Sequence, residues 1–298
     1  MLRGDALATL YFFHPLQKLA ASRRVRIPIL MYHSISDCDE GTRHPYYRTA
    51  TTPAVFAQHM RFLYENNYLT VGPSDAVSCM EASDLGGAQP VVITFDDGYE
   101  DFYTQAFPIL NQYSLSATVY LPTAYIGQTR QTFNGRKCMT WSQVRELRTA
   151  GIEFGSHTVT HPQLKGLENA GVEFEVRTSK DTIEQQLGFG VTSFAYPYAF
   201  PETAGGFRQS LRGILEDTGY QNGVSTMIGT ADAAGDRFFM KRLPVNSCDD
   251  VALLSAKLAG AYDWISKTQY LAKTGKTFLR KSSRGLKRLI SNDFPSSS

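Results

Sequence analysis

Two adjacent carboxylates follow an apolar, strand-like run near the middle of the chain. Residues 91–95 read Val-Val-Ile-Thr-Phe, and Asp96, Asp97 and Gly98 come directly after them. Burying an ionised carboxylate without a partner is costly, so such a pair usually serves a metal ion, a hydrogen-bond network or a reaction. The structural alternative is a turn, since Asp-Gly is a common turn dipeptide.

Histidines follow two other strand-like runs. His33 comes directly after the apolar residues 27–32, and His157 and His161 follow a short strand predicted at 152–155. Two imidazoles and a carboxylate are a common ligand set for a divalent metal ion and leave coordination positions for water and substrate. A histidine pair at this spacing is weak evidence alone, but the strand-end acids strengthen it.

The two carboxylates need not share one task. One can bind the metal ion while the other accepts a proton from metal-bound water, whose pKa the ion lowers. This arrangement suits the hydrolysis of an amide or ester through a tetrahedral oxyanion.

The elements that must position these side chains alternate between strand and helix at least five times. That alternation predicts right-handed βαβ crossovers and a parallel sheet, either open or closed into a barrel. In such folds ligands bind at the carboxyl ends of the strands, so the three polar clusters are expected to converge there. We predict one domain over residues 25–266, an N-terminal appendage over 1–24 and a basic tail over 267–298.

Two segments resemble motifs of a known family. Residues 94–99, Thr-Phe-Asp-Asp-Gly-Tyr, and 157–162, His-Thr-Val-Thr-His-Pro, are similar to the first two motifs of the polysaccharide deacetylases, the NodB-like carbohydrate esterases of family 4. The resemblance runs from about residue 27 to residue 245. It implies an α/β fold, a deformed (β/α) barrel of about seven parallel strands. It also implies metal-dependent removal of N-acetyl or O-acetyl groups from sugars.

The resemblance also implies roles for individual residues. Asp96 matches the catalytic base, and the metal ligands would be Asp97, His157 and His161. Residues 194–198, Phe-Ala-Tyr-Pro-Tyr, resemble the third motif, in which the backbone N–H of Tyr198 would help to hold the oxyanion. The expected cofactor is a divalent metal ion, with Zn²⁺ ahead of Co²⁺ or Ni²⁺.

Two departures from the family pattern affect the residues around Asp96. The arginine that usually orients the base is replaced by Ala195, and Arg242 is the candidate to supply that guanidinium from another strand. The late histidine that usually acts as general acid is missing, because no histidine follows His161. In the branch that deacetylates poly-N-acetylglucosamine exopolysaccharides, an early Tyr-His pair takes that role, so His33 is the candidate acid.

The expected substrate is an N-acetylated oligosaccharide or polysaccharide, with Tyr198 and Trp141 as candidate sugar contacts. Two alternatives remain: a hydrolase of non-sugar amides or esters on the same scaffold, and a non-catalytic carbohydrate-binding relative. The net charge of +2 gives no indication of a nucleic-acid partner, and none is expected.

The basic residues are concentrated near the C-terminus. Between Lys267 and Arg288 there are eight basic residues and no acidic ones, interleaved with apolar ones. This pattern is typical either of a solvated tail or of a basic amphipathic helix on anionic lipid.

The four cysteines are scattered and the N-terminal signal-like pattern is poor, so we expect a cytoplasmic protein, peripheral at the inner membrane face, rather than a secreted one.

Overall fold

Seven parallel strands close into a barrel in the order in which they occur along the chain. The computed structural model describes residues 3–19, 25–82 and 85–266. The barrel strands are β1 (Ile29–Tyr32), β2 (Gln89–Phe95), β3 (Thr118–Leu121), β4 (Glu153–Ser156), β5 (Ser193–Ala195), β6 (Asn222–Ile228) and β7 (Met240–Pro244). The ring closes where β1 pairs with both β7 and β2. The predicted barrel of about seven parallel strands is confirmed.

The barrel is deformed at two places. An additional strand, Tyr68–Thr70, pairs with the first residues of β2, so that β3 joins β2 only from Thr94 onwards. The pairing between β6 and β7 also shifts register between Val224 and Ile228. Three short pairs of strands lie outside the ring: Arg26–Ile27 with Ala231–Asp232, Ser34–Ile35 with Ala50–Thr51, and Thr132–Phe133 with Arg136–Lys137.

Helices occupy the connections from β1 to β6, and other helices precede β1 or follow β7. Their bounds are α1 (Gly4–Ala8), α2 (His14–Leu19), α3 (Pro53–Glu65), α4 (Pro73–Glu81), α5 (Phe107–Gln112), α6 (Trp141–Thr149), α7 (Asn169–Leu187), α8 (Gly205–Asp217) and α9 (Val251–Leu258). Local sequence sets several of the ends. Thr52 caps α3 before Pro53, Thr140 and Gln143 form a capping box on α6, and Gly188 ends α7 in the left-handed conformation.

Alternation along the strands separates two apolar regions. In β2, Val91, Ile93 and Phe95 belong to the main core between the strands and the helices. Val92 faces the barrel interior with Tyr120 and other small or apolar side chains. Because side chains alternate with a period of two, the interior face of β2 continues through Thr94 to Asp96. The strand therefore delivers Asp96 to the interior at its carboxyl end.

The N-terminal segment packs against the end of the chain that the structure describes. Arg3 Nη1 lies 2.8 Å from Asp249 Oδ1, and the ring of Phe13 stacks on Trp264 at 4.9 Å between centroids. Residues 3–19 of the predicted appendage (1–24) are thus held against α9 and its flanking residues by an ion pair and apolar contacts. The predicted basic tail, 267–298, lies outside the described residues. None of the helices that the structure describes has the length and apolar character of a membrane span.

Candidate active site

The carboxyl ends of the strands hold a buried group of one carboxylate and two imidazoles. Asp97 Oδ1 lies 3.7 Å from His157 Nε2 and 3.4 Å from His161 Nε2. The three side chains each offer a ligand atom within 4.8 Å of the others. A tetrahedral ion with bonds of about 2.1 Å separates its ligand atoms by about 3.4 Å, so this spacing fits a small divalent cation.

Backbone strain is concentrated at this group. Asp97, Thr158, His161 and Tyr198 all have positive φ, at 74°, 70°, 55° and 56°. Residues other than glycine seldom adopt this conformation, and each instance costs on the order of 1 kcal/mol or more. At Asp97 the turn separates its carboxylate from that of Asp96, although the two residues are adjacent. The clustering of strained residues supports a functional site here.

Burial keeps both histidines neutral. Removal from water lowers the pKa of His157 to about 4, although the nearby Asp96 charge opposes this. Burial, followed by the proximity of His157, lowers the pKa of His161 to about 4. His157 Nδ1 lies 2.8 Å from the carbonyl oxygen of Ala195. When Nδ1 carries the proton it donates to that oxygen, and the lone pair of Nε2 then faces Asp97.

Asp97 provides the clearest test of whether a metal ion fits. Its Oδ1 atom is buried, and among the described residues no group donates a hydrogen bond to it. Burial raises the pKa of Asp97, because an uncompensated carboxylate is unfavourable there. A carboxylate oxygen that accepts no hydrogen bond, together with two neutral imidazole nitrogens, is a ligand set suited to a divalent cation. The residues present therefore fit a metal ion.

Arg242 clamps the carboxylate of Asp96. Nη1 and Nη2 of the arginine lie 2.7 Å from Oδ1 and Oδ2 of Asp96, so the contact is bidentate. The guanidinium is itself oriented by the carbonyl of Ser225 and the hydroxyl of Thr94. Burial alone would raise the pKa of Asp96, but the Arg242 charge holds that pKa well below its ordinary value. Asp96 is consequently a buried, ionised carboxylate.

His33 and Tyr198 lie at the same end of the barrel. Nε2 of His33 is 3.9 Å from Oδ2 of Asp96, and the side chain is partly exposed to the cavity. The Tyr198 ring is edge-on to His161 at 4.6 Å and is 48% exposed. The backbone N–H of Tyr198 donates to no acceptor among the described residues, while its carbonyl accepts a bond from Thr226. That N–H is available to an oxyanion.

The structure contradicts one predicted sugar contact. Trp141 begins α6, is only 4% exposed and packs in the main apolar core. It does not line the cavity above the metal-ligand group, so its ring has no face for a sugar. Its position after the helix cap Thr140 gave no sign of which side it would face.

Glu175 is a site residue that sequence reasoning missed. Its buried carboxylate, on α7, accepts hydrogen bonds from the backbone N–H groups of Val159 and Thr160 at 2.8 and 2.9 Å, and from the hydroxyl of Thr160. It thereby braces the loop between the two histidines. A signal was present, because Glu175 occupies the same helical face as the core residues Val172 and Val176.

Tyr99 and Arg136 are two further site residues that were not predicted from the sequence. Burial, followed by the nearby charge of Asp97, raises the pKa of Tyr99, and the Arg136 guanidinium lies 5.5 Å from the centre of the Tyr99 ring. Both line a cavity of about 960 Å³ that opens over Asp96, Asp97 and the histidines. This volume suits one or more sugar rings.

Comparisons with known proteins agree with this geometry. The family model described as polysaccharide deacetylase matches residues 85–223. YxkH of Bacillus subtilis, which is named as a polysaccharide deacetylase, is 30% identical over 228 residues, covering 76% of this chain and 74% of YxkH. Poly-β-1,6-N-acetyl-D-glucosamine N-deacetylase of Escherichia coli is 34% identical over 142 residues, covering 43% of this chain and only 20% of that enzyme.

A solved structure extends the comparison to three dimensions. The deacetylase PplD of Streptococcus pyogenes, in complex with acetate, superposes with a TM-score of 0.67 at 26% identity. The match covers 79% of this chain and 99% of PplD.

Proposed function

Because this chain belongs to the polysaccharide deacetylase family, we propose that it removes N-acetyl groups from a polysaccharide by metal-dependent hydrolysis. The observation that carries the proposal is the pair of adjacent acids in opposite environments. Asp96 is clamped and ionised by Arg242, while Asp97 faces two neutral histidines. The names of the Escherichia coli and Streptococcus pyogenes proteins support deacetylation as the reaction.

In this proposal Asp97, His157 and His161 hold the metal ion. When bound, the ion polarises the acetyl carbonyl and makes water acidic enough for a carboxylate of low pKa to deprotonate. Imidazole ligands favour Zn²⁺, with Co²⁺ and Ni²⁺ as the alternatives. Elemental analysis of protein purified without added metal would decide among them, and a preparation dominated by an ion that prefers oxygen ligands, such as Mg²⁺, would contradict Zn²⁺.

The chain's own groups then act on the amide. Asp96 accepts the proton of the water that attacks the acetyl carbon. The N–H of Tyr198 donates to the developing oxyanion. His33 gives a proton to the sugar nitrogen as the C–N bond breaks, so that acetate and a free amine leave.

The test measures acetate release from poly-β-1,6-N-acetylglucosamine fragments and from chitooligosaccharides. Asp96→Asn should lower kcat by about 100-fold or more while the protein keeps its metal ion, because only the proton acceptor is removed. Asp217→Asn, at the exposed end of α8, is the matched control and should behave as wild type. A chelator should abolish activity, and a divalent ion should restore it.

Other outcomes separate the alternatives. An Asp96→Asn variant as active as wild type would remove this mechanism. Oligosaccharide binding without acetate release from any substrate would identify a carbohydrate-binding protein instead. Turnover of small acetylated amides alone would indicate a hydrolase of non-sugar substrates.

We also propose that the basic segment from Lys267 to Arg288 brings the enzyme to anionic lipid at the cytoplasmic face of the membrane. Its eight positive charges without an acidic residue support this. The full chain should co-sediment with phosphatidylglycerol vesicles but not with phosphatidylcholine vesicles, and a 1–266 truncation should lose that binding. Equal binding by the two chains would contradict the proposal.

A further inference from the structure

A second cleft, of about 490 Å³, lies beside the cavity over the metal-ligand group. Its lining residues are Arg3, Gly41, Thr42, Arg43, Pro45, Arg48 and Cys248. Residues 41–43 also line the cavity over the metal-ligand group, so this cavity and the cleft adjoin along this segment. A molecule held at the metal-ligand group can therefore extend into the cleft.

The cleft is positively charged. Three of its lining residues are arginines, and none of the residues that the structure places around it is acidic. The adjoining cavity over the metal-ligand group is different, because its lining contains more carboxylates than arginines: Asp39, Glu40, Asp96 and Asp97 against Arg43 and Arg136. One continuous binding surface thus has an acidic, metal-binding part and a basic part.

The three arginines differ in how their charges are compensated. Arg3 pairs with Asp5 and Asp249, at 2.6 and 2.8 Å. Arg43 pairs with Glu40 at 3.0 Å, but its side chain is 54% exposed. Its partner Glu40 also accepts bonds from the N–H groups of Thr49 and Ala50, so that carboxylate is shared with the backbone of the loop. Arg43 therefore keeps hydrogen-bonding capacity toward the cleft.

Arg48 has no acidic partner in the part of the chain that the structure describes. Its guanidinium donates to the carbonyls of Arg43 and Gly41, at 3.2 and 3.1 Å, and lies 3.9 Å from the sulfur of Cys248. These neutral acceptors fix the plane of the guanidinium without cancelling its charge. A fixed, uncompensated guanidinium is preorganised for an oxyanion, because little further entropy is lost on binding.

We propose that this cleft binds an anionic group carried by the glycan beside the acetylated sugar. The group is an oxyanion, a phosphate ester or a carboxylate, because the planar fork of a guanidinium matches either one. The proposal rests on the deacetylase function and narrows its substrate class. The preferred substrate is an anionic N-acetylated glycan, and a neutral homopolymer is a poorer one.

The test compares three N-acetylated oligosaccharides of equal length: one neutral, one with a single phosphate ester and one with a single carboxylate on the sugar next to the acetylated one. Wild type should hydrolyse at least one anionic substrate with a kcat/KM about tenfold above that of the neutral substrate. Arg48→Gln should remove this preference and leave the neutral substrate within twofold. Arg61→Gln, an exposed arginine on α3, is the matched control and should keep the preference.

Arg43→Gln provides a second variant, in case the loop depends on Arg48 for its conformation. Loss of the preference in Arg43→Gln, measured as the ratio of kcat/KM for the anionic substrate to kcat/KM for the neutral one, supports the proposal. Retention of the full preference in both variants overturns it, as does a wild type that prefers the neutral substrate. Comparison of kcat/KM for the phosphate-bearing and carboxylate-bearing substrates identifies which anion the cleft binds.

A binding measurement separates failure of this proposal from failure of the deacetylase function. Calorimetry with N-acetylglucosamine 6-phosphate and with N-acetylglucosamine requires no turnover. Tighter binding of the phosphate, weakened about tenfold by Arg48→Gln, would support the anion site even if no acetate were released. If Arg48→Gln bound N-acetylglucosamine 6-phosphate as tightly as wild type, the proposed anion site would be contradicted. The proposed deacetylase function would not be affected by that result.

Discussion

At the scale of single residues, the site depends on two adjacent aspartates with opposite electrostatics. The Arg242 guanidinium holds the pKa of Asp96 below its ordinary value, whereas burial raises the pKa of Asp97. The positive φ of Asp97 turns the two carboxylates apart. One acid is thereby kept ionised without a metal ion, while the other needs a cation for compensation.

Arg242→Lys tests the clamp on Asp96. Lysine keeps a positive charge but cannot make the bidentate contact, so we expect the pKa of Asp96 to rise. Because the base must be ionised, activity is lost as pH falls through that pKa, and the acid limb of the kcat/KM profile should move to higher pH. Activity at neutral pH should fall by roughly tenfold.

The control for this change is Arg61→Lys, in an exposed ion pair on α3. Its pH profile should match that of wild type. An acid limb that stays in place in Arg242→Lys would contradict the role assigned to the clamp.

At the scale of elements, the histidine loop after β4 is held by the helix that follows it. Glu175 on α7 accepts two backbone N–H groups and a hydroxyl from Val159 and Thr160, between the two histidines. The loop has positive φ at Thr158 and His161 and would not be expected to keep this shape unaided. The helix therefore helps to preorganise the metal ligands.

Glu175→Gln should weaken metal binding. The amide oxygen can still accept both N–H groups, but without the negative charge these bonds are weaker, so the histidines should become less well ordered. We expect metal affinity, measured by competition with a chelator, to fall about 10- to 100-fold. Glu173→Gln, whose carboxylate pairs with Arg177 on the exposed face of the same helix, should leave affinity unchanged. Equal losses in the two variants would point to a general effect on α7.

At the scale of the whole molecule, closure of the barrel brings together groups that are far apart in sequence. Arg242 on β7 reaches Asp96, which follows β2, only because β1 pairs with both strands. The same end of the barrel carries the catalytic cavity and the basic cleft. Burying two histidines there has a consequence for stability as well as for function.

The metal-free protein should lose stability as the pH falls from about 6.5 to about 4. In this window the histidines of the unfolded chain bind protons, whereas folded His157 and His161, with their pKa values lowered to about 4, do not. Protonation therefore favours unfolding. We expect the Tm, measured by calorimetry in chelator, to fall by several degrees across this range.

His161→Gln removes one of the two groups responsible and should make that dependence shallower. A variant as pH-sensitive as wild type would mean that other groups control acid stability.

Much of this architecture could be predicted from the sequence because its signals are local. The apolar, β-branched run before Asp96 and the strand–helix alternation predicted a parallel sheet with its ligand site at the strand ends. The resemblance to the polysaccharide deacetylases implied that this sheet closes into a barrel. The motif match identified Asp97, His157 and His161, and the structure brings them together. The prediction for Trp141 was wrong because the sequence did not reveal which way the first side chain of α6 points. Glu175 was missed because its position on the core-facing side of α7 did not reveal that its carboxylate contacts the histidine loop.

By itself, then, the sequence determined which residue types stand at the strand ends, since strand and turn chemistry depends on neighbouring residues. Only the tertiary structure decided which of them touch. Arg242 lies 146 positions from Asp96, and Arg48 lies 200 positions from Cys248. Such contacts depend on barrel closure and loop packing, which no local pattern encodes. The compensated charge on Asp96 and the uncompensated charge on Arg48 are therefore properties of the fold.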